Sequence, residues 1–175
     1  MTKLFFDVFP TLNIDNDSHM LFEKVEVTKI TSTSARNHIK VYIYSTHLIP
    51  KKTVCYVIEE QLFSQGNIPV TIVEEYRLSE QYTPENLMHA YKESILFELE
   101  QKSVLEKNMF QKAKCRFEGE RIMCLTMADT IVAEGKTSEI TSYLKDVFEN
   151  RFHVPVDVEI DYEEVKESKY SFSRK

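Results

Sequence analysis

Apolar and polar residues alternate along two nearby stretches of this chain, as they do in half-buried β-strands. The stretches are Lys24–Thr31 and Ile39–Tyr44, and residues 32–37 between them suit a hairpin loop. Apolar residues at helical spacing follow in Pro50–Gly66, and a further strand is predicted at Pro69–Leu78. The pattern therefore predicts a ββαβ unit in the first half of the chain.

Short helices are predicted ahead of this unit. Thr2–Phe9 has apolar residues at helical spacing, and Pro10 is suited to end a helix there. Turn-forming polar residues then lead into a second helical turn around Met20–Glu23.

A second group of elements is predicted after residue 80. Thr83 caps a helix that begins with Pro84, and Ser103 begins a separate helix with a capping box. A hairpin follows, and then a helical turn that Gly135 interrupts, a main helix and a final strand. The predicted strands are Lys114–Glu118, Arg121–Met127 and Val154–Tyr162, and the interrupted turn is Asp129–Glu134.

The two halves repeat one pattern at a constant offset. A Pro-Val pair in Ile68–Ile72 recurs in Val154–Val158, 86 positions later, and the helical positions ahead of each pair superpose without a gap. We therefore predict an α+β protein of two tandem small domains. The first spans residues 1–80, the second spans 81–163, and residues 164–175 form a polar linker or disordered tail.

The composition suits a folded cytoplasmic protein. Of 175 residues, 42% are hydrophobic, which is enough for two compact cores, and three Gly leave little room for flexible linkers. Three cysteines without a paired spacing favour a reducing compartment. The N-terminus lacks the apolar run of a signal peptide, and no stretch is long enough to cross a membrane.

Charge is unevenly distributed along the chain. The formal net charge is −6, but the segment from Lys24 to Lys52 has six cations against one anion and is net +5. The remainder is therefore net −11. The simpler explanation of this positive segment is that its cations lie on the solvent side of a half-exposed sheet. The functional explanation is that they contact nucleic-acid phosphates. The candidate contacts are Lys24, Lys29, Arg36, Lys40, Lys51 and Lys52.

The sequence offers no candidate catalytic, metal-binding or cofactor-binding cluster. The five histidines are scattered, and adjacent carboxylates on one strand or helix point apart. A weaker signal lies at Gly135-Lys136-Thr137-Ser138, where a K-homology domain would place the GxxG loop that clamps a nucleic-acid backbone. Gly135 and Lys136 are therefore further candidate contacts, although Ser138 replaces the second glycine of the loop.

Several segments together resemble a known family. They are Lys24–Lys29, His38–Tyr44 with Leu48-Ile49-Pro50, Glu85–Leu99, Phe117–Met123 and Phe152–Tyr162. The chain is similar in these segments to the N-terminal region of the PolC-type DNA polymerase III alpha subunit, the replicative polymerase of low-GC Gram-positive bacteria.

The resemblance implies a first domain like the polymerase-binding domain of the clamp-loader tau subunit and a second, αββααβ domain like a type II K-homology fold. It also implies a larger DNA-directed DNA polymerase with 3'-5' exonuclease activity, whose OB-fold, exonuclease and polymerase domains follow.

Our leading hypothesis is a non-catalytic module that contacts replisome proteins and the downstream polymerase domains of the same chain. Weak affinity for single-stranded DNA is expected as well. The alternative is a stand-alone K-homology-type RNA-binding protein.

Overall fold

The computed structural model describes residues 2–35, 37–78, 81–128 and 131–163, without the side chains of residues 131–134. Its strands form two sheets, one of four strands and one of three, and helices connect them. This architecture confirms the predicted α+β class with two tandem units.

The first unit is built on a four-stranded sheet in the order β1-β2-β3-β4. Its elements are β1 (Lys3–Leu4), α1 (Phe5–Val8), α2 (Asn16–Phe22), β2 (Glu26–Ser32), β3 (Ile39–Ser45), a π-helical segment (Thr53–Glu59) that continues into α3 (Glu60–Gly66), and β4 (Val70–Tyr76). Strands β2 and β3 form the predicted antiparallel hairpin, and β4 lies parallel to β3 after the helical crossover. The ββαβ prediction is confirmed.

The N-terminal segment differs from the predicted helix. Lys3–Leu4 is a strand that pairs antiparallel with β2, and only Phe5–Val8 is helical. Phe5 is fully buried, and its amide donates to the carbonyl of Val25 at 2.8 Å. The first residues pair with β2 instead of forming a helix, because an isolated helix of this length is unstable in water.

The side chain of Glu59 accepts a hydrogen bond from the outer edge of β4. Among the described strands, β4 has β3 on one side and no strand on the other. The Ile72 amide donates at 2.6 Å to the carboxylate of Glu59, which lies on the crossover helix. Burial raises the pKa of Glu59, although the hydrogen bond from Ile72 opposes this shift. An amide at the sheet edge is thereby paired within the unit.

The second unit repeats the strand topology of the first. Its elements are α4 (Pro84–Lys102), α5 (Val104–Lys112), β5 (Lys114–Glu118), β6 (Ile122–Ala128), α6 (Ile131–Asp146) with a π-helical continuation (Val147–Arg151), and β7 (Asp157–Glu163). Strands β5 and β6 are antiparallel, and β7 lies parallel to β6. The predicted caps are confirmed, since the hydroxyl of Thr83 accepts from the Asn86 amide at 3.1 Å and that of Ser103 from the Glu106 amide at 3.3 Å.

Helix α6 corrects the prediction of a helical turn interrupted at Gly135. Residues 131–146 form one helix that passes through Gly135, so the two helices expected in this stretch are a single one. Ile140 and Leu144 lie one turn apart on this helix, and both are fully buried. An interior glycine costs about 1 kcal/mol relative to alanine, a penalty that burial of these side chains offsets.

The 86-residue repeat extends to the backbone conformation. Asn67 and His153 are 86 positions apart, and each follows its unit's main helix with a positive φ, 55° and 57° respectively. Ile58 and Leu144, which the repeat also equates, are both fully buried. The two helices thus bury equivalent positions and are followed by equivalent residues of positive φ, although their π-helical segments lie at different positions of the repeat.

The buried side chains of both units meet in one continuous core. The ring of Phe152 packs against Tyr76 of the first unit, with centroids 5.1 Å apart, and against Tyr91 at 4.8 Å. The expectation of two separate cores is therefore wrong, although the two sheets are distinct. The division at residue 80 stays a prediction, and the predicted tail 164–175 lies outside the described residues.

Candidate functional site

The basic residues singled out in the sequence occupy different environments. The exposed ones are Lys24, Lys29, Lys40 and Lys52, and Arg36 lies outside the described residues. Lys51 is 7% exposed, and two carboxylates lie within 3.5 Å of its ammonium group. Lys51 is therefore not part of a solvent-facing basic surface, which corrects its place among the candidate contacts.

The solvent-facing side of the first sheet combines cations with aromatic rings. This open face consists of Lys29, Lys40, Tyr42 and Tyr44, together with Arg77 just beyond β4. Alternation along β3 buries Val41 and Ile43 on the opposite side. The Lys29 ammonium lies 4.4 Å from the centroid of the Tyr42 ring, and the Arg77 guanidinium lies 5.9 Å from that of Tyr44. Both are cation–π contacts.

A second polar arrangement lies between the two units. This seam network consists of Lys51, Glu74 and Tyr76 from the first unit and Tyr91, Glu98, Tyr143 and Arg151 from the second. The Lys51 ammonium lies 2.5 Å from one carboxylate oxygen of Glu74, and the Tyr76 hydroxyl donates to the other oxygen at 2.5 Å. The Lys51 amide also donates to the hydroxyl of Ser94 on α4, at 3.0 Å. The start of the crossover helix is thus fixed to both units.

Glu98 is the centre of the network on the second unit. The guanidinium of Arg151 donates to both of its carboxylate oxygens, at 3.0 and 3.1 Å, and to the Tyr91 hydroxyl at 3.1 Å. The Tyr143 hydroxyl also donates to Glu98, and the Lys51 ammonium lies 3.5 Å from it. A bidentate pair of this kind fixes geometry as well as charge.

The pKa shifts agree with a network of permanent charges. Burial acts to lower the pKa of Lys51, but the charges of Glu74 and Glu98 raise it above its ordinary value. Burial acts to raise the pKa of Glu98, but the charge and hydrogen bonds of Arg151 bring it below its ordinary value. Burial, and then the charge of Glu74, raises the pKa of Tyr76, which keeps its hydroxyl protonated.

Two cations and two carboxylates balance in the seam network. Every one of the four charged groups has an opposite charge within 3.5 Å, so each is already engaged within the protein. Breaking such a buried pair leaves an uncompensated charge and is strongly destabilising. This arrangement therefore holds the two units together.

Gly135 and Lys136 do not form a nucleic-acid-clamping loop. Both lie in α6, and the Lys136 ammonium is 3.6 Å from the carboxylate of Glu139, one helical turn further on. The hydroxyls of Thr137 and Tyr162 are 3.0 Å apart, which connects this part of α6 to β7. The structure thus places both residues within a regular helix.

Replacing two glycines by alanine should give effects of opposite sign. A Cβ at Gly135 would meet nothing within 4 Å, so Gly135→Ala should raise the free energy of unfolding by about 0.5–1 kcal/mol. Gly119, in the β5–β6 turn, has a φ of +60°, so Gly119→Ala should lower it by about 1–2 kcal/mol. Urea unfolding followed by far-UV circular dichroism measures both. A loss of stability in Gly135→Ala contradicts the helical assignment.

The exposed side of the second sheet is acidic. Two cations, Lys114 and Arg116, face five carboxylates there, those of Glu118, Asp157, Glu159, Asp161 and Glu163.

The ligand atoms of Glu118, Cys124 and Glu159 lie within 4.8 Å of one another. Desolvation, and then nearby carboxylates, raises the pKa of Cys124, so its thiol stays protonated at neutral pH. Sequence reasoning missed this cluster because only the strand register brings the three residues together.

Two family models match the chain. One, described as DNA polymerase III polC-type N-terminus I, matches residues 4–72, and the other, described as N-terminus II, matches residues 90–174. Together they cover most of both sheets. The chain belongs to the N-terminal region of polC-type DNA polymerase III. No curated protein matches it.

The two polC-type regions correspond to the two structural units. The N-terminus I match runs from the end of β1 to the beginning of β4, and the N-terminus II match begins within α4. The seam network connects them, since Lys51 lies in the first match and Glu98 in the second. Among the helices of the described ranges, none is long and apolar enough to span a membrane.

Sequence reasoning did not find the seam network of this polC-type region. Its charged members are spread from position 51 to position 151, and no local spacing connects them. One indirect signal was present, because Glu74 lies on the apolar side of a predicted strand, between Ile72 and Tyr76. A charge at such a position needs a buried partner.

Proposed function

We propose that this chain is a non-catalytic module of a PolC-type replicative DNA polymerase, acting in the cytoplasm. It contacts the downstream polymerase domains and other replisome proteins, and it has weak affinity for single-stranded nucleic acid. The family membership supports the setting in DNA replication. The observation that carries the module role is the seam network, because it makes two small units into one body that can present a composite surface.

A groove beside the seam is the best surface for a protein partner. It has a volume of about 370 Å³, and its lining comes from both units. Lys52 belongs to the first unit, and Leu96, Phe97 and Lys107 belong to the second. The Tyr56 ring, 52% exposed, packs edge-on against Phe97 with centroids 5.2 Å apart. Aromatic and apolar groups surrounded by charges of both signs are typical of protein interfaces.

The stand-alone K-homology alternative has less support. It rested on the tandem repeat and on a loop at Gly135, and this residue lies within α6. The acidic side of the second sheet also opposes contact with phosphates. The polymerase module therefore remains the better proposal.

A binding experiment tests the protein contact. The 175-residue chain is immobilised, and the downstream part of a PolC-type polymerase is titrated over it in biolayer interferometry. We expect association that Tyr56→Ala weakens at least about tenfold, because exposed aromatic anchors dominate such interfaces. Phe63→Ala is the control, since Phe63 lies on the same helical stretch and is 48% exposed, whereas Tyr56 is the residue whose ring contacts Phe97 of the groove. No association, or equal loss in both variants, rejects this surface.

A further inference from the structure

The open face of the first sheet presents an aromatic ring to solvent beside two cations. Tyr42 is half-buried in the middle of β3, with Lys29 opposite it on β2. Lys40 precedes it by two residues on the same side of the strand. The Lys29 ammonium already occupies a position above the Tyr42 ring, at 4.4 Å from the centroid. The ring is thus partly exposed, and the group above it is a cation on a flexible side chain.

A cavity continues the open face beyond Tyr42. Its volume is about 210 Å³, and its lining supplies hydroxyl, imidazole and ammonium groups. The lining residues are Thr31, Ser32, Thr33, His38, Lys40 and Tyr42. The His38 ring nitrogen lies 2.7 Å from the Thr71 hydroxyl, which fixes the imidazole at the rim. Hydroxyl and ammonium donors are the groups that proteins use to bind phosphate oxygens.

The arrangement matches the requirements of a single strand better than those of a duplex. An unpaired base has an accessible π-face that stacks on an aromatic side chain, and the phosphates on either side need nearby cations. A base stacked on Tyr42 would displace the Lys29 ammonium from the ring. The displaced ammonium could then pair with a phosphate of the same strand. The cavity at Lys40 would then hold the neighbouring phosphate.

Carboxylates limit the site at the other end of β3. Glu26 and Glu75 flank Tyr44 in the strand register. Glu75 is paired with the His153 ring at 2.8 Å, and the Arg77 guanidinium lies near the Tyr44 ring. The favourable track therefore covers Tyr42 and the cavity, which suits two or three nucleotides and weak binding.

We infer that the open face binds single-stranded nucleic acid, with one base on the Tyr42 ring and phosphates at Lys29 and Lys40. This inference rests on the single-strand affinity in the proposed function and assigns it a surface. It does not depend on the groove beside the seam. The acidic side of the second sheet is excluded as the site by its charge.

Fluorescence anisotropy with labelled oligonucleotides tests the inference. The full chain is titrated into oligo-dT and oligo-rU of about 12 nucleotides, at about 50 and 200 mM salt. We expect Tyr42→Ala to weaken binding at least about fivefold, the loss of one stacked base, and Tyr42→Phe to retain it within about twofold. Lys40→Ala should reduce the slope of log affinity against log salt by about 0.7. The dT and rU arms show which strand chemistry is preferred, and binding of either supports the site.

Tyr56→Ala is the matched control, since Tyr56 is an exposed tyrosine outside the open face whose ring packs against Phe97 of the groove beside the seam. It should leave oligonucleotide affinity unchanged, just as Tyr42→Ala should leave association with the polymerase unchanged. Wild-type affinity in both Tyr42→Ala and Lys40→Ala overturns the inference but leaves the protein contact standing. Weaker polymerase association in Tyr42→Ala, without loss of oligonucleotide binding, assigns the open face to a protein partner and also overturns it. No oligonucleotide binding by the wild type rejects the single-strand affinity itself.

Discussion

Arg151→Met should lower the free energy of unfolding by about 3 kcal/mol. The change removes both hydrogen bonds from the guanidinium to Glu98 and the one to the Tyr91 hydroxyl, while keeping most of the apolar volume. Glu98 then remains buried with less compensation, and breaking a buried pair costs about 3–5 kcal/mol. We expect a loss at the lower end of this range, because the Lys51 ammonium still lies 3.5 Å from the Glu98 carboxylate and partly compensates its charge. Urea unfolding at neutral pH measures the loss.

A double variant distinguishes the contribution of the Arg151–Glu98 ion pair from the cost of leaving one of its charges unpaired. Removing both charges, in Arg151→Met with Glu98→Leu, should recover part of the stability, because an apolar replacement of a buried ion pair is often neutral but the Tyr143 hydroxyl loses its acceptor. Lys51 keeps its contact with Glu74 in that variant. A double variant less stable than Arg151→Met contradicts the role assigned to this pair.

The loss in Arg151→Met should also depend on pH. In the wild type, the folded-state pKa of Glu98 lies below its ordinary value of 4.5. Its contribution to stability is therefore present above pH 4.5 and is lost as the pH falls through the folded-state pKa. Without Arg151, burial dominates and Glu98 takes up a proton at higher pH. The difference between wild type and variant should narrow from about pH 7 to about pH 4, as unfolding curves across this range would show.

Phe152→Ala should destabilise the whole chain by about 3–5 kcal/mol. Phe152 is 3% exposed, and its ring contacts Tyr76, Tyr91 and Phe148, so the truncation leaves a cavity between the units. Because the core is continuous, both units should lose stability together in a single unfolding transition. Tyrosine fluorescence follows unfolding of the whole chain, since both units contain tyrosines, and amide exchange in β4 measures the effect on the first unit.

Phe63→Ala is a matched control for this truncation. Phe63 is 48% exposed, so its loss should change stability by less than about 0.5 kcal/mol. If Phe152→Ala accelerates amide exchange in the second unit alone, the units fold independently and the shared core has no energetic role.

Local patterns were enough to predict most of the elements. The alternation of Val41 and Ile43 with polar neighbours gave β3, and the side chains of Leu87 and Ile95 lie buried on α4 as their helical spacing indicated. These elements follow from periodicity because each buries one side against the core. The repeated Pro-Val pattern predicted the final strand of each unit, and the structure shows that this strand is parallel to its neighbour.

The remaining features depend on contacts between distant residues. Lys51 appeared in the sequence as one more surface cation, and only its meeting with Glu74 and Glu98 explains its burial. Gly135 was expected to break a helix, but packing of Ile140 and its neighbours keeps α6 continuous. The open face needed the strand register, which places Lys29 beside Tyr42. Single-sequence patterns carry none of this tertiary information.

The hydrogen bond from the Ile72 amide to Glu59 restricts how partners can approach the first unit. Proteins that recruit an extended peptide by strand addition need a row of free amides and carbonyls at a sheet edge. On β4 a carboxylate from the unit's own helix occupies part of that row, which also protects against edge-to-edge aggregation. An extended peptide that adds to β4 would have to displace this carboxylate from the Ile72 amide, so strand addition at this edge is disfavoured.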